Sequence, residues 1–288
     1  MERRVLGDTG LEVGVLGYGA MELRDASEVS ESDAERVLNA VLDGGINFVD
    51  TSPDYGASEE RIGKYISGRR SEYFLATKGG CNVGSDGVRG DPPHVWSRDR
   101  LLANIELSLE RLRTDYVDLW QLHNASVQDV DAAGLIDVME EVKASGKVRH
   151  VSISSRSPDL DTYVERGSFE TYQIPYSALQ REHEEVIGKA ATSGAGVIIR
   201  GGVAKGRPVG AMADAWPRWE RAGLAELAGD GESPASFLLR YTISHPGMHT
   251  TIIGTRSLEH LAANLATVEL GPLDDATYAE AKRRLDAA

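Results

Sequence analysis

Cysteine is nearly missing from this chain of 288 residues, where Cys81 stands alone. One thiol excludes an intramolecular disulfide and any metal site built on clustered cysteines, and it suits a reducing compartment. Long apolar stretches are missing too. No run of about 18 apolar residues offers a membrane span. The opening MERRVLGDTG has no signal-peptide core, so a cytoplasmic location is expected. Positive charge is scarce, with 31 Lys and Arg against 45 Asp and Glu and a formal net charge of −14. That balance argues against nucleic acid or an anionic membrane as partner. A polyanionic cofactor would need the few cations gathered in one place. Linkers and composition shifts are also lacking, so residues 1–288 are expected to form a single domain. A chain of this length buries roughly 75% of its unfolded surface as one unit.

What is present is a regular alternation. Short apolar runs at 13–19, 46–52, 73–79, 116–123, 148–155, 171–177, 196–201 and 250–255 read as strands. Several are apolar at consecutive positions, as in parallel strands buried on both faces. Helix-period segments separate them. Ser32 and Glu35 suggest a capping box before Ala34, Val37, Leu38, Val41 and Leu42. Ser97, Ser257 and Ser233-Pro234 mark three further helix starts. Repeated strand–helix units predict a closed (β/α)8 TIM barrel, with an N-terminal hairpin around Asp8-Thr9-Gly10 and a last helix near 273–286. An open doubly wound sheet is the competing architecture. Gly14, Gly17 and Gly19 lack the GxGxxG spacing it would carry, and GGVAKGR (201–207) is not a Walker A loop.

In such a barrel, chemistry belongs where the strands end. Asp50-Thr51-Ser52, Thr77-Lys78, Gln121-Leu122-His123, Ser154-Ser155 and Arg200 close five of the apolar runs, and Gln173 lies in a sixth. Ending apolar strands in Asp, Lys and His is costly unless they pair or face a cleft. The connections 80–96 and 202–217 are long for turns. They carry Trp96, Met212 and Trp216, which are expected to wall a substrate pocket.

The fragments VDTSPDYG (49–56), LATKGG (75–80), SLERLRTDYVDLWQLH (108–123), GKVRHVSISS (146–155) and IIGTRSLEHLAANLA (252–266) resemble the aldo-keto reductase superfamily across nearly the whole chain. The resemblance implies a catalytic tetrad at Asp50, Tyr55, Lys78 and His123 and an NADP(H) cofactor, with NAD(H) as the alternative. The substrate it implies is a small carbonyl or alcohol. Carbonyl reduction needs a proton donor, and a phenol of pKa about 10 is a reluctant one. An adjacent ammonium from Lys78, held by Asp50, is expected to lower that pKa. His123 is expected to orient the carbonyl oxygen.

The resemblance also places the cofactor. Ser154, Ser155 and Gln173 fall where the carboxamide is held. Ser155 replaces the usual Asn, and Arg200 stands where an aromatic commonly stacks on the nicotinamide. Gly201, Gly202, Lys205 and Arg207 are expected near the pyrophosphate. Gly254, Thr255, Arg256, His260 and Asn264 fall at the adenosine-phosphate site, where a helix N-terminus favours anions. Arg256 is the expected 2′-phosphate partner. Specificity is expected from Met21, Glu22 and the two long connections. Two other readings stand beside reduction. One is a cofactor-binding regulatory or interaction module, motivated by Arg200 and Ser155. The other is a Schiff-base enzyme using Lys78. No metal is assigned: His245 and His249 are separated by Pro246-Gly247, and HEEV at 183–186 is no HExxH motif.

Overall fold

The computed structural model describes residues 1–84, 89–208 and 210–288. An antiparallel hairpin of β1 (Arg3–Val5) and β2 (Glu12–Gly14) comes first. Strands β3 (Leu16–Gly19), β4 (Phe48–Asp50), β5 (Phe74–Gly79), β8 (Val117–His123), β9 (Val148–Ser154), β10 (Thr171–Pro175), β11 (Gly196–Arg200) and β12 (Thr250–Ile253) then form a closed parallel barrel. The connection after β5 holds a second antiparallel hairpin, β6 (Cys81–Val83) with β7 (Arg89–His94). Each run expected to be a barrel strand contains one. The first is divided: residues 12–14 pair with β1 and only 16–19 enter the barrel.

The helices are α1 (Glu31–Asp43), α2 (Ser58–Tyr65), α3 (Arg98–Leu112), α4 (Val127–Ala133), α5 (Leu135–Ala144), α6 (Asp159–Arg166), α7 (Glu184–Thr192), α8 (Pro217–Arg221), α9 (Pro234–Ile243), α10 (Leu258–Glu269) and α11 (Asp275–Asp286). Helix α1 starts two residues before the expected capping box. Ser30, not Ser32, accepts the Asp33 amide, because an Asp at the third helical position satisfies the same geometry. Ser97, Ser233 and Ser257 cap α3, α9 and α10 as the sequence suggests.

Two apolar layers hold the barrel. The outer one packs helix faces such as Val37, Leu38 and Val41 of α1 against outward strand residues such as Val49 and Leu75. The inner one joins Leu6, Leu11 and Val13 of the N-terminal segment to Phe48, Ala76, Leu119 and Ile198 inside the barrel. The first hairpin thus plugs the N-terminal mouth. The opposite mouth is left for polar side chains, because parallel strands send all their C-terminal ends to one rim. No helix among the described residues is long and apolar enough to cross a membrane.

Candidate active site

Strand β4 ends at Asp50, β8 at His123, β9 at Ser154 and β11 at Arg200, while Lys78 is one residue from the end of β5. These ends converge on one buried cluster. Lys78 Nζ donates to Asp50 Oδ2 and to the Thr51 carbonyl oxygen, both at 2.7 Å. Asp50 Oδ1 accepts from Gln121 Nε2 at 2.6 Å and from Gln173 Nε2 at 2.9 Å. The carboxylate therefore ties together side chains from β4, β5, β8 and β10. Burial opposes the Lys78 charge, but Asp50 and the Tyr55 phenol beside it outweigh that effect and raise its pKa. The ammonium stays charged.

Tyr55 sits in the turn between β4 and α2, with its amide donating to the Ser52 carbonyl oxygen at 3.0 Å. Lys78 Nζ lies 4.9 Å from the centre of the Tyr55 ring, and the His123 ring meets that ring edge-on at 5.9 Å. Lys78 does pull the phenol's pKa down as expected, but the net shift is upward. Burial pushes the phenol up, Lys78 pulls it down, and burial prevails. Tyr55 is therefore protonated at neutral pH.

Helix α2 braces the turn from behind. Ser58 Oγ donates to the Ala20 carbonyl oxygen at 2.9 Å and lies 2.9 Å from Thr51 Oγ1. Glu59, fully buried, accepts from Thr77 Oγ1 at 2.7 Å, and burial raises its carboxyl pKa. Gly63 allows α2 to lie against the end of α3, since a Cβ there would come within 2.0 Å of the Arg111 carbonyl oxygen. None of Gln121, Asp54, Ser58 or Glu59 is a site residue in the sequence-based assignment. Two acids flanking Tyr55 and a Gln two residues before His123 were the available signals.

His123 turns Nδ1 away from Tyr55's neighbours on β5 and toward a second polar group. Nδ1 lies 3.4 Å from Asp54 Oδ1, 3.3 Å from Cys81 Sγ and 3.4 Å from Ser52 Oγ. Burial lowers the His123 pKa, with Asp54 opposing, so the ring is neutral near pH 7. Burial opposes Asp54's charge, yet its contacts with His123 and Ser52 hold the carboxyl well below the usual range. Among its described residues, the connection 80–96 forms the β6–β7 hairpin over this face. Trp96 stacks on His94 at 5.5 Å, and His94 lies 4.9 Å from His123. Trp216 is turned into its own segment, its indole donating to the Ala204 carbonyl oxygen at 3.1 Å. The Met212 side chain lies outside the described residues.

The expected cofactor residues fall along the same rim. Ser154 and Ser155 are buried at the end of β9, next to Gln173 on β10. Arg200 closes β11 with its Nε buried and without a hydrogen-bond partner. Burial, then the neighbouring Arg156, lowers its pKa. Gly201 has φ +78°, and a Cβ at Gly202 would meet Thr251 Oγ1 at 2.6 Å, so backbone replaces side chain at this point. A Cβ at Gly254 would contact Glu22 at 3.2 Å. Two expected phosphate partners already hold carboxylates: Lys205 pairs with Glu22 at 3.1 Å, and Arg256 pairs with Glu28. Arg207 is exposed. Thr255 Oγ1 accepts the Ser257 amide at 3.1 Å, and Ser257 Oγ accepts the His260 amide. Asn264 donates to the His260 carbonyl oxygen at 2.8 Å within α10. A cavity of about 300 Å³ lined by Arg4, His245, His249 and Tyr278 lies near the N-terminal hairpin, away from this rim.

The closed parallel eight-stranded barrel with polar strand ends gathered on one rim is a TIM barrel. The chain belongs to the Aldo/keto reductase family, whose profile matches residues 15–285. It is 30% identical to YqkF, an oxidoreductase of Bacillus subtilis (strain 168), over 92% of this chain and 90% of that protein. L-galactose dehydrogenase of Arabidopsis thaliana is 29% identical over 99% of this chain and 95% of its own length. The holo structure of aldo-keto reductase AKR11C1 from Bacillus halodurans superposes with a TM-score of 0.85 at 30% identity. It covers 100% of this chain and 97% of its own.

Proposed function

We propose that this oxidoreductase uses NADP(H) to interconvert a small aldehyde or ketone and its alcohol, with Tyr55 as the proton donor in reduction. The observation that carries the reading is the buried Lys78–Asp50 pair set beneath the Tyr55 ring. The phenol holds its proton until a substrate oxygen takes it, and the fixed ammonium then stabilises the phenolate that forms. Asp50, braced by Gln121 and Gln173, keeps Lys78 charged and immobile. His123, neutral and with Nδ1 accepting from the Cys81 thiol, would carry its proton on Nε2 and donate it to the substrate oxygen.

The rim fits an extended dinucleotide. The orphaned Arg200 Nε is a buried cation lacking an acceptor, and the backbone at 201–202 allows close approach. A bound nicotinamide dinucleotide would supply the hydride. Ser154, Ser155 and the Gln173 amide would hold its carboxamide end, Gly201, Gly202, Lys205 and Arg207 its pyrophosphate. Gly254, Thr255, Arg256, His260 and Asn264 would hold the adenosine side, with Arg256 favouring NADP(H) over NAD(H).

The test is Tyr55→Phe. NADPH affinity is expected to persist while turnover of small aldehydes falls about 100-fold or more, the scale of a lost general acid. Unchanged turnover in that variant overturns the mechanism. Tight NADPH binding by the natural chain without reduction across aldehydes, quinones and keto acids would favour a binding module instead.

A further inference from the structure

We propose that Asp54, Cys81, His94 and His123 form a four-ligand site for a zinc(II) ion, set behind His123. Their ligand atoms all lie within 4.8 Å of one another. Cys81 Sγ is 3.3 Å and Asp54 Oδ1 3.4 Å from His123 Nδ1, and His94 Nε2 is 3.9 Å from Asp54 Oδ2. Zinc bonds of about 2.0–2.3 Å at tetrahedral angles put neighbouring ligand atoms roughly 3.2–3.6 Å apart. The group is thus close to its metal-bound spacing, and a small inward shift of the ligand atoms completes it.

Three further observations point to a cation. His94 Nε2 is buried with no hydrogen-bond partner, so a lone pair or a proton is left unused in the cluster. Asp54 is buried, and it already draws the half-exposed Arg89 guanidinium to 3.4 Å, a position an ion between the four ligands would take over. The charge sum also closes. Zinc displaces the Cys81 thiol proton to solvent, and the divalent ion with one thiolate, one carboxylate and two neutral imidazoles has no net charge. A neutral sum suits a buried position.

The fold explains why these residues meet. Cys81 and His94 are register partners across the β6–β7 hairpin, so both reach the same face. The β4–α2 turn brings Asp54, and β8 ends at His123. His94 is partly exposed and marks the entry side. With the ligands drawn from positions 54 to 123, no short motif announces the site. Zinc on Nδ1 would leave the imidazole proton on Nε2, so metal binding and the proposed carbonyl contact do not compete for one nitrogen.

The experiment strips the full-length protein with a chelator and titrates it with cobalt(II), then zinc(II). One cobalt per chain is expected. A thiolate-to-cobalt charge-transfer band and the intense visible bands of a tetrahedral site should appear, and zinc should erase both. Cys81→Ser should remove the charge-transfer band. His94→Ala should weaken zinc at least about tenfold, with circular dichroism confirming that both variants are folded. A weak octahedral cobalt spectrum, no stoichiometric binding, or affinities unchanged in both variants would overturn the site. The readout is spectroscopic, so it stands independently of whether Tyr55 donates a proton.

Discussion

Lys78 shows how one side chain is made to serve two purposes. Its ammonium is fully buried, and its acceptors are Asp50 and the Thr51 carbonyl oxygen. Lys78→Met would leave Asp50 buried opposite an apolar side chain. Breaking such a pair costs about 3–5 kcal/mol. Urea denaturation should show that loss, and Asp50→Asn in the same chain should recover part of it. Failure of the double variant to recover would mean the pair is not the source. Arg256 is the contrasting case. Its partner Glu28 is exposed, and such pairs contribute about 0–1 kcal/mol. Arg256→Ala should therefore leave stability nearly unchanged. Losing a charged hydrogen bond of about 1.5–3 kcal/mol to phosphate should weaken NADPH roughly tenfold or more, with NADH hardly affected. Equal losses for both cofactors would remove the 2′-phosphate assignment.

Elements were easier to read from the sequence than contacts between them. Consecutive apolar positions located every barrel strand, and serines located the starts of α3, α9 and α10. The misreadings came where two solutions were locally equivalent. Ser30 and Ser32 both offer a cap, and tertiary placement of α1 selected the first. Residues 80–96 show little alternation, with Pro92 and Pro93 inside β7, so a hairpin there was illegible. His94 was missed for the same reason, since that hairpin brings it to His123, whereas Asp54 reaches His123 from the β4–α2 turn. Asp50, Lys78 and His123 stood out in the sequence as polar residues closing apolar runs, and Tyr55 came from the family resemblance; the structure brings these four side chains together. The net effect of burial on Tyr55 was not legible, because desolvation depends on everything packed around the ring. Helix α2 gives a test at this scale. Gly63→Ala improves helix propensity but would drive a methyl into the backbone of α3. Overpacking of this kind costs typically 1–3 kcal/mol. Thermal unfolding should drop by several degrees; an unchanged or higher midpoint would mean α2 slides freely.

At the scale of the whole molecule, the net charge of −14 is misleading about any one surface. Lys205 and Arg256 reach the rim accompanied by Glu22 and Glu28, so an arriving phosphate exchanges one anion for another. Buried histidines set the acid response. Burial lowers the pKa of His183, His245 and His249. The unfolded chain, with histidines near 6.5, then binds protons that the folded chain refuses. Stability from these groups is complete above about pH 6.5 and is lost progressively as pH falls below it. Denaturation midpoints measured from pH 8 down to 5 should stay level at first and decline below about 6.5. A midpoint level down to pH 5 would mean the rings are already accessible to protons.

The Asp50 carboxylate has a consequence for how the enzyme can be remodelled. Asp50, Tyr55, Lys78 and His123 all belong to the first half of the barrel. Arg200, Lys205 and Arg256 belong to the second. Chimeras that exchange the second half could in principle trade one nucleotide preference for another while leaving the proton-handling half intact. Gln173 is one exception, because its bond to Asp50 crosses the seam, as the Lys205–Glu22 and Arg256–Glu28 pairs also do. A donor half would have to supply a Gln at that point of the sixth barrel strand, or the transplanted barrel would close around a misaligned acid.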